Sequence, residues 1–167
     1  MRSMEPIAEH VLRASFINAS KGEAARMNLP RDFAETAWSD LDFLGWHDPG
    51  ARERAWLVAE RDGQVVGLSL RVAPPGSRGF TARSMCSMCL TTRTGGGVTL
   101  MTARKTGAAG RRGNSVGQYV CADLACSLYV RGRKQSAGAQ FDEAMTVEDK
   151  IARLRLNLEA FLDKVAA

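Results

Sequence analysis

Four cysteines constrain this chain of 167 residues more than any other feature of its sequence. They are its only cysteines, and they fall into two close pairs, Cys86 with Cys89 and Cys121 with Cys126. Structural zinc sites take four thiolates from such closely spaced pairs and arrange them as a tetrahedron. We therefore predict that Cys86, Cys89, Cys121 and Cys126 bind one structural Zn²⁺ ion and that the fold is built around it.

Other uses of the cysteines fit the sequence less well. A redox Cys-x-x-Cys motif follows a strand and leads into a helix, whereas Cys89 is followed by a turn-like segment, 91–97. Disulfides require an oxidising compartment, and no charged and apolar signal segment opens the sequence. Two unrelated pairs of buried cysteines remain the simplest alternative to a zinc site.

The spacing of the second pair limits where a helix can begin. Four residues separate Cys121 from Cys126, and side chains five positions apart lie on different faces of a helix. Cys121 must therefore precede the helix. Asp123 is a good N-cap and Gly132 a good terminator, so we predict a helix over residues 124–131 with Cys126 at its third position.

A Cys-x-x-Cys knuckle combined with a helix start that carries the fourth ligand is the treble-clef layout. The positive end of the helix dipole favours a thiolate at Cys126 and adds to the larger effect of the metal. Because protein side chains fill all four coordination positions, none is left for water or substrate. We expect the zinc to be structural and the protein not to be an enzyme.

Composition places the chain among ordinary globular proteins. Hydrophobic residues make up 45% of it and charged residues 25%. No apolar run approaches the roughly 20 residues that span a bilayer. Together with the missing signal segment, this leads us to expect a cytoplasmic protein.

Positive charge is concentrated in the centre of the chain. Residues 78–134 contain ten lysines and arginines and one acidic residue, so this segment carries +9 while the whole chain carries +5. The flanking segments together therefore carry −4. A basic zinc module implies an acidic partner, either nucleic acid or an acidic protein surface. A solvated basic surface without a partner is the alternative.

Hydrophobic periodicity and turn signals predict an α+β fold with antiparallel hairpins. The expected elements are helices over 5–18, 21–27 and 146–165 and strands over 55–61, 64–72, 98–103 and 117–120. The last helix opens with Thr146-x-x-Asp149, which resembles a capping box, and it carries one apolar stripe, formed by Ile151, Leu154, Leu158, Phe161, Leu162 and Val165. Asp62-Gly63 joins the first two strands as a two-residue turn. Segment 106–115 is small, polar and basic, and we expect a mobile loop there.

We expect three parts along the chain. Residues 1–54 would hold short helices and an aromatic linker, 55–135 a β-hairpin and the treble-clef module, and 140–167 a helix packed on that module. Within the linker, Asp40, Asp42, His47 and Asp48 could be drawn as a catalytic or metal cluster. The aromatic and aliphatic residues between them favour a linker pinned to the core, with aspartates that cap turns.

Three motifs together resemble a known family. They are Cys86-x-x-Cys89, the run Gly117-Gln118-Tyr119-Val120-Cys121-Ala122-Asp123-Leu124-x-Cys126, and Tyr129-Val130-Arg131-Gly132. This pattern resembles the treble-clef zinc domain of the FusB-type elongation factor G-binding proteins, also labelled the C-terminal zinc finger of a fibronectin-binding protein family. The resemblance covers about Trp56 to Gly132, and residues 42–49 look like the shorter, actinobacterial-type members.

The resemblance implies a partner and a function. In the best-studied branch, the zinc domain binds elongation factor G and helps to release it from ribosomes stalled by fusidic acid. That branch carries a sizeable N-terminal helical bundle, where this sequence predicts only short helices. We therefore expect a monomeric protein that binds elongation factor G, either free or on the ribosome, with binding to RNA as the alternative.

The basic segment supplies the candidate partner-binding residues. Arg104, Lys105, Arg111 and Arg112 would attract an acidic surface over a long range. Tyr119 could add an apolar anchor, although a tyrosine beside a zinc ligand can equally belong to the core.

Overall fold

The computed structural model of the protein describes residues 3–74, 84–93, 95–135 and 144–167. Its strands are β1 (Phe43–Asp48), β2 (Ala51–Arg61), β3 (Gln64–Val72), β4 (Ser84–Met85), β5 (Thr92–Arg93), β6 (Val98–Arg104) and β7 (Ser115–Cys121). Its α-helices are α1 (Glu9–Arg13), α2 (Lys21–Arg26), α3 (Gly107–Arg111), α4 (Cys126–Val130) and α5 (Val147–Ala166). The predicted α+β class is confirmed.

Five strands form one antiparallel sheet in the order β1-β2-β3-β6-β7, and β4 pairs with β5 in a separate ribbon. The predicted hairpin between β2 and β3 is confirmed. Its two central residues, Asp62 and Gly63, have φ angles of 52° and 78°, as a type I′ turn requires. The predicted strands over 98–103 and 117–120 are also present, within β6 and β7.

Both faces of the sheet bury apolar side chains. The C-terminal helix α5 packs on one face, where the cysteines also lie. This cluster includes Leu57, Leu68, Met101, Leu154, Leu158 and Phe161. The N-terminal segment covers β1 and β2 on the other face, in a cluster that includes Leu12, Met27, Leu41, Trp46 and Trp56. The sheet thus separates the cysteine cluster from the N-terminal segment.

The first predicted helix is much shorter than expected. Instead of spanning 5–18, α1 ends at Arg13, and the chain then runs along β3. Ile17 N donates to Gly67 O at 3.0 Å, and Gly67 N donates to Ser15 O at 2.9 Å. β3 pairs with β6 only at its last two residues, so its free edge binds this segment as a short bridge. The second helix is confirmed as α2, with a capping box between Ser20 and Glu23.

Half of the segment 38–49, where we expected a linker, is instead strand β1 (residues 43–48). Within it, Phe43 and Trp46 are buried on opposite faces of the sheet, which explains the aromatic density of this segment. Asp48 caps the following turn by accepting from Gly50 N at 2.8 Å. It also accepts from Asn28 Nδ2 and Trp56 Nε1, and these bonds tie the N-terminal segment to the sheet.

The prediction of a mobile loop over residues 106–115 is wrong, because the segment contains α3. Thr106 N donates to Val165 O at 3.0 Å, which fixes the segment to the end of α5. A side chain at Gly110 would place Cβ 1.7 Å from Lys105 O. The small residues therefore allow close packing rather than mobility.

The long C-terminal helix is confirmed as α5. Thr146 caps it by accepting from Asp149 N at 3.1 Å, as the predicted start motif requires. The predicted apolar stripe is buried at Leu154, Leu158 and Phe161, and Ile151 is partly buried beside it. No helix in the described part of the chain is long and apolar enough to cross a membrane.

Leu158→Ala tests the packing of α5, because it removes a side chain that is only 4% exposed. We expect it to reduce the free energy of unfolding by about 2 to 5 kcal/mol. Leu156→Ala is the matched control on the same helix, since Leu156 is 72% exposed. Denaturant unfolding should separate the two variants. Equal stability would mean that α5 does not pack on the sheet as described.

Candidate metal centre

The first cysteine pair lies in the tight turn between β4 and β5. Leu90 N donates to Cys86 O at 2.9 Å, and Leu90 adopts a left-handed conformation with φ of 59°. Cys86 N closes the turn by donating to Thr91 O at 3.0 Å. The amides of Met88 and Cys89 point at Cys86 Sγ, at 3.3 and 3.4 Å. The turn therefore brings two sulfurs together and aims backbone donors at one of them.

The second pair also lies at a turn that contains a left-handed leucine. Cys121 ends β7, and Leu124 N donates to Cys121 O at 2.8 Å, with a left-handed φ of 56° at Leu124. The prediction that Cys121 precedes the helix is confirmed. The predicted helix start is wrong, because α4 begins at Cys126 rather than at residue 124. The left-handed turn at Leu124 delays the helix by two residues.

The sequence predicted the C-terminal end of α4 but not its N-terminal cap. Asp123 does not cap the helix; its Oδ1 accepts from Ala125 N at 3.1 Å, and Ala125 occupies the N-cap position. At the other end, Gly132 has a left-handed φ of 69°, and Arg133 N donates to Leu128 O at 2.9 Å. The predicted stop at Gly132 is therefore confirmed.

The two turns bring all four cysteines into one buried cluster. Their sulfur atoms all lie within 4.8 Å of one another. Cys86 Sγ lies 3.6 Å from Cys126 Sγ, and Cys89 Sγ lies 3.5 Å from Cys121 Sγ. A tetrahedron with Zn–S bonds of about 2.3 Å places its sulfurs about 3.8 Å apart. The cluster can therefore hold one zinc ion, and the cofactor prediction is confirmed.

The crowded thiols perturb one another's ionisation. Interactions with Cys121 and then Cys126 lower the pKa of Cys86 and Cys89. Interactions with the other sulfurs, together with burial, raise the pKa of Cys126 well above its ordinary value. Four thiolates this close together repel one another, so they cannot all ionise without a positive charge between them. A divalent ion removes this conflict, because it holds all four as thiolates.

Arg93 is a buried cation that contacts this cluster. Its side chain is 9% exposed, and one guanidinium nitrogen, Nη2, lies 3.7 Å from Cys121 Sγ. The guanidinium carbon lies 3.6 Å from the centre of the Tyr129 ring. Burial acts to lower the pKa of Arg93, but the hydrogen bond with Tyr129 and the charge of Cys121 raise it overall. Arg93 is thus a fixed positive charge beside the thiolates.

Asp123 holds the groups around Arg93 in place. It accepts from Tyr129 Oη and from Lys134 Nζ, each at 2.7 Å. Burial acts to raise the pKa of Asp123, but the bonds from Lys134 and Tyr129 lower it overall. Asp123 therefore stays ionised and completes a polar layer on the outside of the metal cluster. Such outer partners orient metal ligands and tune their basicity.

Arg93 was not among the predicted site residues, although its position in the sequence gives a signal for it. It lies four positions after Cys89, close enough to return to the metal cluster. It is also followed by a run of glycines, and a Cβ at Gly97 would lie 2.6 Å from Arg93 Cδ. A glycine is therefore needed there to leave room for the arginine side chain.

The acidic cluster discounted above has a structural role. Asp42 is fully buried and accepts from Arg131 at 2.7 Å and from Arg155 at 2.8 Å. Asp42 N also donates to Ser127 Oγ at 2.9 Å. His47 Nε2 lies within hydrogen-bond distance of Ala122 O. These contacts connect the β1 segment to both ends of the second cysteine turn and to α5.

The structure groups four of the five predicted partner-binding residues. Arg104, Lys105, Arg111 and Arg112 lie at the end of the β6–β7 pair, and we call them the basic cluster. Cys121 lies opposite Val98 at the other end of this pair, about 20 Å away over six residue steps. Tyr119 lies near the cysteine end and is 43% exposed, so it is not a core residue.

A comparison with protein families gives one match. The family model described as "FBP C-terminal treble-clef zinc-finger" matches residues 11–165. This span includes the resemblance over residues 56–132 and extends it in both directions, to the N-terminal helices and α5. No curated protein and no solved structure matches the chain significantly.

Arg93→Met tests the role of the buried cation. Four thiolates and one Zn²⁺ carry two net negative charges, whereas the metal-free thiols can be neutral, so Arg93 favours the metal-bound form. We expect the variant to lose zinc about 10 to 100 times faster to a chromogenic chelator. Arg133→Met is the control, because its side chain is 65% exposed. Equal release rates for the two variants and wild type would contradict this role.

Proposed function

The chain belongs to the family of FBP C-terminal treble-clef zinc fingers, and from this premise we propose that it binds elongation factor G and modulates release of the factor from the ribosome. The motifs that resemble the FusB-type proteins are those that build the metal centre. An activity like fusidic acid resistance is part of this proposal. In this proposal zinc stabilises the treble-clef module, and residues of this module bind the partner.

The observation that carries the proposal is the contrast between two sets of cations. Several cations that pack against the core are neutralised by nearby carboxylates. The pairs include Arg54 with Glu23, Arg61 with Glu159, Arg131 with Asp42 and Lys134 with Asp123. Among the described residues, the basic cluster forms no ion pair. Its charge is thus available to an acidic partner.

The surroundings of the basic cluster strengthen its field. Strands β3, β6 and β7 contain no acidic residue, and Arg71 on β3 is opposite Thr102 in the pairing with β6. Three of the four cluster side chains are exposed, and Lys105 is half-buried. An uncompensated charge of this kind accelerates association with a partner of opposite charge.

We propose that the protein is not an enzyme. The four cysteines fill the tetrahedron around one zinc ion, so the ion has no position for water or substrate. The protein would act on elongation factor G through binding alone. A ligand shifts a conformational equilibrium only by binding one state more tightly than another. This protein would therefore bind more tightly to the state of elongation factor G that leaves the ribosome.

Binding to RNA is the second candidate. The exposed ring of Tyr119 lies on the same pair of strands as Arg104, and stacking aromatics beside cations are features of RNA-binding surfaces. The basic cluster itself contains no aromatic residue. RNA recognition by this surface would therefore depend mainly on phosphate contacts.

The test is the association rate of purified elongation factor G with wild type and with a variant whose basic cluster is changed to glutamine. We expect the variant to associate more slowly, with the difference shrinking as salt is added, because the screening length falls to about 8 Å at physiological ionic strength. Zinc content and thermal stability should not change, since the cluster lies far from the cysteines.

The matched control changes four exposed cations of the N-terminal half, Lys21, Arg26, Arg31 and Arg52, to glutamine. It removes the same charge from a different surface, so it should retain more of the wild-type rate. Equal rates for both variants would contradict a role for the basic cluster. Failure of the wild type to bind elongation factor G would reject the proposed function, and binding of single-stranded RNA instead would favour the second candidate.

A further inference from the structure

Strand β7 is an outer strand of the five-stranded sheet, paired on one side with β6. The backbone of an outer strand can bind an additional strand if its outward N–H and C=O groups are accessible. Sequence and pairing register decide which residues of β7 point outward. This edge begins four residues after Arg111, so it starts next to the basic cluster.

The pairing pattern assigns the outward residues. Lys105 N donates to Asn114 O, and Ala122 N donates to Gly97 O, so these positions are hydrogen-bonded pairs of the ladder. Hydrogen-bonded and non-hydrogen-bonded pairs alternate in an antiparallel ladder. Ser115, opposite Arg104, therefore belongs to a non-hydrogen-bonded pair, and its backbone groups point away from β6.

The same alternation places two more outward positions on β7. Gly117 and Tyr119 follow Ser115 at steps of two residues and share its orientation. An independent contact confirms this parity, because Tyr119 O accepts from Ser87 N at 2.7 Å, outside the sheet. In the described ranges of the chain, the backbone groups of Ser115 and Gly117 form no backbone hydrogen bond to a neighbour.

Nothing in the sequence of β7 protects this edge. Natural edge strands are guarded by charged side chains, proline or bulges. The strand contains no charged residue and no proline, and its pairing with β6 is regular over seven residues. The side chains at Ser115 and Gly117 are exposed and small, so they leave room for another backbone.

We infer that β7 is a docking edge, where an extended acidic segment of the partner adds a strand beside Ser115 and Gly117. Arg111 and Arg112, which lie four and three residues before the start of β7, bind carboxylates of that segment. Charge complementarity selects the occupant, because residues 98–121, from the start of β6 to the end of β7, contain four lysines and arginines and no acidic residue. This inference rests on the proposed function and specifies how elongation factor G is held.

The test compares two substitutions at one position. Gly117→Pro removes the outward N–H, and proline is tolerated in an edge strand where the N–H faces solvent. Gly117→Ala adds a Cβ in the same place, 3.3 Å from Leu100 Cδ1, but retains the N–H. We expect Gly117→Pro to bind elongation factor G at least about tenfold more weakly than Gly117→Ala, with equal zinc content in both.

Amide hydrogen exchange of the wild type gives a second measurement that does not depend on the variants. We expect the amides of Ser115 and Gly117 to exchange rapidly in the free protein and to be protected in its complex with elongation factor G. If the wild type binds but the two variants bind equally and these amides stay unprotected, the strand-addition inference is wrong while the proposed function stands.

Two other outcomes have a separate meaning. If the wild type does not bind elongation factor G, the proposed function fails and this inference fails with it. If a polyuridine oligonucleotide protects the amides of Ser115 and Gly117 and elongation factor G does not, the edge binds RNA rather than an acidic protein segment, and the inference is overturned.

Discussion

The bonds from four cysteine sulfurs to one zinc ion join parts of the chain that share little other structure. One pair lies in the turn between the two-residue strands β4 and β5, and the other pair lies between β7 and α4. Short ribbons and one-turn helices are not stable by themselves. Structural zinc in finger peptides contributes on the order of 10 to 16 kcal/mol of apparent binding free energy. That is as large as the net stability of a whole domain, about 5 to 15 kcal/mol.

The remaining contacts of this region complement the metal. Arg93 and Asp123 surround the thiolates with fixed charges, and the buried Asp42 binds Arg131 at the end of α4 and Arg155 on α5. These charges are internally compensated and hold the elements in register. The basic cluster, at the far end of β6 and β7, is not compensated within the described chain. The molecule thus separates a neutralised structural centre from a charged end, and both the sheet and α5 connect them.

Much of the fold was predictable from local patterns. The dipeptide Asp62-Gly63 predicted the central hairpin, and Thr146 predicted the start of α5. The offset between Cys121 and Cys126 predicted that Cys121 lies before the helix. The failures arose where long-range contacts override local pattern. The predicted helix over 5–18 stops early because β3 offers a free edge to Ser15 and Ile17. The small residues of 106–115 predict a mobile loop, but Gly110 within this segment packs against the backbone carbonyl of Lys105.

The metal ligands were predictable because their spacing alone restricts the chemistry. The residues that surround these ligands were not predictable, because Arg93 and Tyr129 lie 36 positions apart in the sequence and come together only when the metal cluster closes. The sequence also could not show that the backbone N–H and C=O groups of Ser115 and Gly117 point away from β6, because this depends on the pairing register of the two strands. A sequence pattern locates strand β7 but does not state which backbone groups face the neighbouring strand.

The most direct test of the central claim is amide hydrogen exchange before and after zinc is removed with a chelator under reducing conditions. The account predicts that the amides of Leu90 and Leu124, which close the two cysteine turns, lose protection together with the other protected amides of residues 84–93 and 118–132. One molar equivalent of zinc should restore it. Unchanged protection of both turns in the metal-free protein would contradict the claim that zinc holds this fold together.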